Sequence, residues 1–510
     1  MDKRVAIIDL GSNSIRMNII NVNSNGAYYI VDQSKEMVRL SEGMGSEKTL
    51  KEEPMDRTIK TIKLFEKLME TYKVEKVWSF ATAAVRSAKN GQEFIDRVKS
   101  ETGHEIKVID GKKEAYYDYL GVINTIDIRE CLIVDIGGGS TELVLVKDRE
   151  LVESISLPFG SVTLSESFLK YKTDKESIDG LENFMRGLLD DVPWLRGNPG
   201  IPVVGLGGII RNIARIHKVR KDISLPDIHN HKLRHKDVAY VLKQVVGKDF
   251  DEIRKIPGIS KSRVDIMAGG VVPIDCIMKY VKSDNLVISG NGLREGVFYE
   301  KYLKKREDVL VVNNVLEHSL DNIAKKYKVN REHAIQVKNI ALTLFEDLRD
   351  IHGLDKKYRK ILHVAALIHD IGMHVGYYNH HVHGFYLALN SRINGLETDE
   401  MISVAYLIGL HRDTKLRIDL KEYKEIVGNK KFKELKKLAV FLKLSEKLDR
   451  GEFGNLKGIE TLVGKKTVKI VVEAFEGENL ELEVSQARGY SELFKKNFGY
   501  RLEIEERLVE

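Results

Sequence analysis

An aspartate followed by glycine and small hydroxyl residues, set between two apolar runs, is a pattern that can hold phosphate. This chain carries it twice. In "VAIIDLGSNSIRMNII", Asp9 precedes Gly11, Ser12, Asn13 and Ser14. In "CLIVDIGGGSTELVLV", Asp135 precedes Gly137, Gly138, Gly139, Ser140 and Thr141, and Glu142 follows. Aligned without gaps, Asp9 falls on Asp135, Gly11 on Gly137 and Ser14 on Ser140. A concave turn of backbone N–H groups and hydroxyls binds an anion, and a carboxylate at its rim can hold a divalent cation that bridges phosphate oxygens. An ordinary glycine-rich hairpin turn explains either stretch alone. The repetition in register favours the phosphate reading.

Loops of this kind need strands behind them. The apolar runs supply these, and two further stretches add more: "IPVVGLGGIIRNIARIH" and "NLVISGNGLREGVFYEKYL" each read as strand, glycine turn and helix. Glycine at such a turn lets a ligand approach the helix N-terminus. Four glycine-rich turns are therefore expected to end four strands. "TIKTIKLFEKLMETY" has helical spacing, and "KVWSFATAAVRSAKNGQEFIDRV" passes from strand through a polar turn to helix. Beyond the charged segment around "KKRED" the pattern turns helical and histidines become frequent. From about residue 457 alternation returns in "TVKIVVEAF" and "NLELEVS", which are read as strands, followed by a helix and "YRLEIEERL", together a small α+β module.

With 510 residues, 43% of them hydrophobic, the chain exceeds a single core, and roughly two to four domains are expected. The boundaries read from the sequence are 1–124, 125–309, 310–456 and 457–510. The formal charge of +6 comes from 82 basic and 76 acidic residues in mixed order, which suits an anionic substrate without specifying one. Cys131 and Cys276 read as buried thiols, not as a disulfide framework or a metal pair. No apolar run approaches a membrane span or a signal peptide, so a cytoplasmic protein with neither membrane nor DNA as partner is expected.

In this order, "DLGSNSIR", "ATAAVRSAKNG", "GKKEAYYDYLGV", "DIGGGSTE", "GLGGIIRNIA" and "GNGLREGV" resemble the motifs of the exopolyphosphatase/guanosine pentaphosphate phosphatase family. The resemblance implies an α/β fold of two actin/sugar-kinase-like (ribonuclease H-like) domains around a phosphate-binding cleft, followed by an all-α HD-like domain and a small α+β module. It also implies Glu114 as the catalytic carboxylate, Asp135 and Glu142 as magnesium ligands, and Arg86 as a phosphate contact. Gly205, Gly207 and Gly208 then face a phosphate chain, and Arg263 and Arg294 match further family positions, Arg263 as a phosphate ligand. "ATAAVR" departs from the family at Ala83, where serine is frequent.

In the second half, His333, the His369-Asp370 doublet, His380, His381, His383, His411 and Asp449 follow an order similar to that of HD-domain metal-dependent phosphohydrolases. That resemblance implies a divalent transition metal on His333, His369, Asp370 and Asp449; helix-borne histidines that only pack are the alternative. The expected activity is metal-dependent release of orthophosphate from the end of inorganic polyphosphate by a homodimer. The alternatives are hydrolysis of guanosine pentaphosphate at its 5′ end, and a phosphoanhydride sensor with little turnover. Lys356, Lys357, Arg359 and Lys360 are expected to help hold a polymeric anion.

Overall fold

The apolar runs around the first Asp-Gly loop form β1 (Lys3–Leu10) and β2 (Ile15–Val22), which pair antiparallel with Asp9 opposite Arg16. β3 (Tyr28–Glu36) continues the meander on β2, while β4 (Lys76–Ala81) and β5 (Lys107–Val108) add parallel strands beyond β1. The sheet order is β3-β2-β1-β4-β5. Ala6, Ile7 and Ile8 are consecutive and fully buried, as a strand covered on both faces requires. The helix Glu52–Thr71 buries Met55, Ile59, Ile62, Phe65 and Met69 at helical spacing against this sheet. The structure is a computed structural model and describes residues 2–45, 47–169, 173–223, 227–304, 309–412 and 421–507.

The design recurs. β6 (Cys131–Ile136), β7 (Thr141–Lys147) and β8 (Glu150–Leu157) form a second meander, with Asp135 opposite Glu142. β9 (Val203–Gly207) and β11 (Asn285–Ile288) lie parallel beyond β6, and β10 (His231–Arg234) closes the order β10-β11-β9-β6-β7-β8. A meander of three strands extended by parallel strands, present twice, is the actin/sugar-kinase-like α/β fold expected above. Four glycine-rich turns do end β1, β6, β9 and β11.

The chain divides into two compact units, Met1–Val315 and Leu316–Glu510. Most of the "KKRED" segment, 305–308, lies outside the described residues. The second unit begins with helices, among them Arg331–Asp347, Tyr358–Ile368, His380–Asn390, Thr398–Leu410 and Asn429–Leu448. It ends in the sheet β12 (Leu456–Val463), β13 (Thr467–Ala474) and β14 (Arg501–Arg507).

One expected strand is a helix. "NLELEVS" enters the helix Glu481–Arg488, where Leu480, Val484 and Ala487 are buried and Leu482 is 54% exposed. The buried positions are thus spaced for a helix, and the alternation of leucine with glutamate is incidental. Cys131 is buried as expected, but Cys276 is only partly covered; both are free thiols, pushed up to about 12 by burial. No described helix is long and apolar enough to cross a membrane.

Candidate functional site

The two Asp-Gly loops face each other across a cleft in the first unit. Each closes on itself in the same way: Gly11 N donates to Ser14 O at 3.1 Å, and Gly137 N to Ser140 O at 3.0 Å. Those two amides are therefore spent on the loops, which leaves the following residues as anion donors. The triple glycine has a steric cause. None of Gly137, Gly138 and Gly139 has positive φ, but a Cβ on Gly138 would lie 3.1 Å from Ser12 Cβ and one on Gly139 2.8 Å from Ser12 Oγ. The loops approach so closely that only glycine fits. Behind them, Ser161 N and Val162 N donate to the carbonyls of Gly137 and Gly138, and Arg39 N and Ser41 N to those of Asn13 and Ser12.

Of the expected residues, Asp9, Gly11, Ser12, Asn13, Ser14, Glu114, Asp135, Gly137, Gly138, Ser140, Gly207, Gly208 and Arg263 line the cleft. Thr141 does not: its hydroxyl donates to Phe159 O at 2.9 Å. Glu142 is buried behind Asp135 and accepts from Ser156 Oγ at 2.7 Å. Gly207 holds φ +96°, and a Cβ there would sit 2.8 Å from Asp135 Oδ1.

Glu114 lies in the first turn of the helix Gly111–Ile123, which Asp110 caps by accepting from Lys113 N. Arg86 does not line the cleft. Its Nη1 donates to Glu114 Oε2 at 2.8 Å and to Ile109 O at 3.0 Å, so it holds the carboxylate. Burial pushes Glu114 up to about 7 against the opposing pull of Arg86. One turn further on, Asp118 is buried with neither carboxylate oxygen bonded. Burial raises Asp118, Glu142 and Asp9 and brings Asp135 to about 6, and the carboxylates reinforce one another. Asp135 and Glu142 are direct cross-strand partners, an arrangement of like charges that is unfavourable without a proton or cation between them.

The cleft also carries basic groups. Arg16, Arg211 and Arg294 line it with Arg263. Burial and mutual repulsion lower Arg16, bring Arg211 to about 9 and Arg263 to about 10, and leave the nearby Lys35 at about 7. Arg294 is held by Asn18 Oδ1 at 2.6 Å, which Gln33 also reaches. Sequence reasoning assigned no role to Arg16, Arg211 or Asp118. For the two arginines a signal exists: Arg16 aligns with Glu142 in the repeated hairpin, and Arg211 lies near a helix start, where the dipole disfavours a cation unless an anion accompanies it.

In the second unit, His333, His369, His380 and His411 converge on Asp370. Asp370 Oδ2 lies 3.6 Å from His369 Nε2 and 3.9 Å from His333 Nε2, and Oδ1 lies 3.3 Å from His380 Nε2 and 3.5 Å from His411 Nε2. Burial would raise Asp370, yet the surrounding imidazoles hold it well below the usual carboxylate range. Asp449 stands on the far side of His333, accepting from Nδ1 at 2.7 Å, so it orients that ring. The four basic residues expected to hold a polymer lie on and before the helix Tyr358–Ile368. Arg359 pairs with Glu346 and Lys360 with Glu400, both at 2.7 Å.

Comparison with known proteins gives two family matches: the model of the Ppx/GppA phosphatase family over residues 19–305, and that of Ppx/GppA phosphatase, domain III over 315–488. A guanosine-5'-triphosphate,3'-diphosphate pyrophosphatase of Vibrio vulnificus is 26% identical, with 86% of each chain covered. One of the same name from Photobacterium profundum is 26% identical over 80% of each. Among solved structures, the Aquifex aeolicus member of the Ppx/GppA protein family is 31% identical, with TM-score 0.52, over 60% of this chain and 99% of its own. An exopolyphosphatase from Cytophaga hutchinsonii is 26% identical, with TM-score 0.55, over 59% and 97%.

Proposed function

Because the chain belongs to the Ppx/GppA phosphatase family, we propose that its cleft hydrolyses a terminal phosphoanhydride, with guanosine 5′-triphosphate 3′-diphosphate as substrate. The reaction class is carried by one observation: a carboxylate poised near neutrality, Glu114, opens onto a cleft that four arginines also line. The choice of substrate is supported by the names of the curated relatives.

In this reading the phosphate end lies between the two loops, and Arg16, Arg211, Arg263 and Arg294 neutralise its oxygens. Glu114, ionised and fixed by Arg86, orients a water and accepts its proton as the water oxygen bonds to phosphorus and the bridging P–O bond breaks. Arg86 is a positioning residue. The donor set fits a magnesium ion, because Asp135 Oδ1 is buried without a hydrogen-bond partner beside two further buried carboxylates. Asp135, with Glu142 behind it, would hold the ion, which would supply positive charge to the phosphoryl oxygens.

Polyphosphate is the second reading, and the lining of the cleft supports it: among the described residues that line it there is no aromatic ring on which a base would stack. The two readings separate in a matched comparison of kcat/KM for guanosine 5′-triphosphate 3′-diphosphate and long-chain polyphosphate. A tenfold or larger preference for the nucleotide is expected; the reverse preference assigns polyphosphate, and turnover of neither rejects hydrolysis.

A further inference from the structure

A second cavity, of about 310 Å³, adjoins the cleft in the first unit, because Asn13 and Ile266 stand in the walls of both. That is the size of a small-molecule site. Its walls leave regular backbone geometry at two places. Arg39 holds φ +44°, in the left-handed region that favours glycine, and its amide donates to Asn13 O at 3.0 Å. Ser165 and Glu166 open a single π-helical turn, Ser165–Leu169, an arrangement that is rare and recurs at functional sites. Both departures put a charged side chain on the cavity. Both are also tied to the phosphate loops, the first through Asn13 and the second through the helix Ser161–Leu164, whose Ser161 N and Val162 N donate to Gly137 O and Gly138 O.

The chemistry of this cavity differs from that of the cleft. Arg39 Nη1 touches Asp265 Oδ2 at 3.3 Å, a half-exposed contact that leaves Nη2 and Nε to meet an acceptor. Glu42 and Glu166 also line the cavity, and two carboxylates beside one arginine would repel a further phosphate. Burial and the nearby Glu42 raise Glu166. Glu42 is paired with Arg57 at 2.9 Å, but among the described residues no cation pairs with Glu166. Ser165 Oγ is buried without a hydrogen-bond partner, and Phe250, which packs against the core of the second sheet, gives the wall an aromatic ring. These groups fit a flat ring with acceptors on one edge and N–H donors on another. Guanine has both: O6 and N7 accept in the geometry an arginine meets, and N1–H and the 2-amino group donate to a carboxylate. Adenine places a donor, its 6-amino group, where guanine has O6.

We propose that this cavity is a base subsite, holding the guanine of the nucleotide whose phosphates lie in the cleft. Phe250 takes the face of the ring, Arg39 binds O6 and N7, and Glu166 accepts from N1–H and the 2-amino group. The inference rests on the nucleotide reading of the cleft, and it supplies the aromatic surface that the lining of the cleft lacks. Glu166 and Phe250 then determine specificity, while the phosphate loops and Glu114 carry the reaction.

The test measures equilibrium binding by calorimetry to the full chain carrying Glu114→Gln, so that the probes are not consumed. The probes are guanosine 5′-triphosphate 3′-diphosphate, its inosine counterpart, which lacks the 2-amino group, and long-chain polyphosphate, which lacks a base. The guanosine compound is expected to bind about tenfold or more tightly than the inosine compound, and Glu166→Ala to bring that preference below about twofold. Phe250→Ala should lower the affinity for the guanosine compound, relative to that for polyphosphate, about tenfold or more. If Phe250→Ala fails to fold by circular dichroism, the inosine comparison and Glu166→Ala decide. Equal binding of the guanosine and inosine compounds, or a preference that Glu166→Ala leaves intact, overturns the base subsite while the nucleotide reading of the cleft stands. An unchanged affinity ratio in folded Phe250→Ala overturns the stacking on that ring. A guanosine compound that neither binds nor displaces polyphosphate overturns the nucleotide reading, and the subsite with it.

Discussion

Glu114 sits where two influences oppose each other: burial pushes its pKa up to about 7, and Arg86 pulls it down. The base form exists above that value, so kcat is expected to rise with pH through about 7 and level off above it. Arg86→Ala removes the group that favours ionisation, so the acidic limb of the profile should move to higher pH; an unmoved limb would remove Arg86 from this role. Glu114 was legible because it stands alone at a family position. The pairing of Arg86 with it was not, since the two are 28 residues apart and meet only through the fold. Asp118 was illegible for the same reason. A lone acidic or basic residue on a helix reads as solvated until a second element buries it.

At the scale of elements, glycine sets how closely the phosphate loops approach. Gly160 has an extended backbone that any residue adopts, but a Cβ there would lie 2.6 Å from Gly138 O and 2.7 Å from Gly137 O. Gly160→Ala should therefore push the second loop out of place and lower kcat/KM about a hundredfold, since small misplacements of this kind are costly, while the protein stays folded. Near-normal kinetics would show that the loop tolerates the shift. The paired sheets were legible because hairpin and strand–turn–helix patterns are local. The last module was less so: in "NLELEVS" the alternation and the helical spacing coexist, and only packing of Leu480, Val484 and Ala487 decides between them. Leu482→Glu is expected to change stability by less than about 0.5 kcal/mol, and Val484→Ala to cost about 1–2 kcal/mol, in denaturant unfolding. A strand would place Leu482 and Val484 on one face and give both substitutions similar costs.

Across the whole molecule, cations are plentiful, and their partners decide which can hold a polyanion. Arg359 and Lys360 are paired with glutamates, whereas Arg211 lies in the cleft among other arginines. Arg211→Ala should raise KM about tenfold or more, and Arg359→Ala with Lys360→Ala should leave it within about twofold. If the cleft of the first unit performs hydrolysis through Glu114, orthophosphate release by full-length Glu114→Gln, measured alongside its substrate affinity, reads that out. Turnover is expected to fall at least about a hundredfold while binding of guanosine 5′-triphosphate 3′-diphosphate or polyphosphate is nearly unchanged. Turnover close to that of the unaltered protein would contradict it.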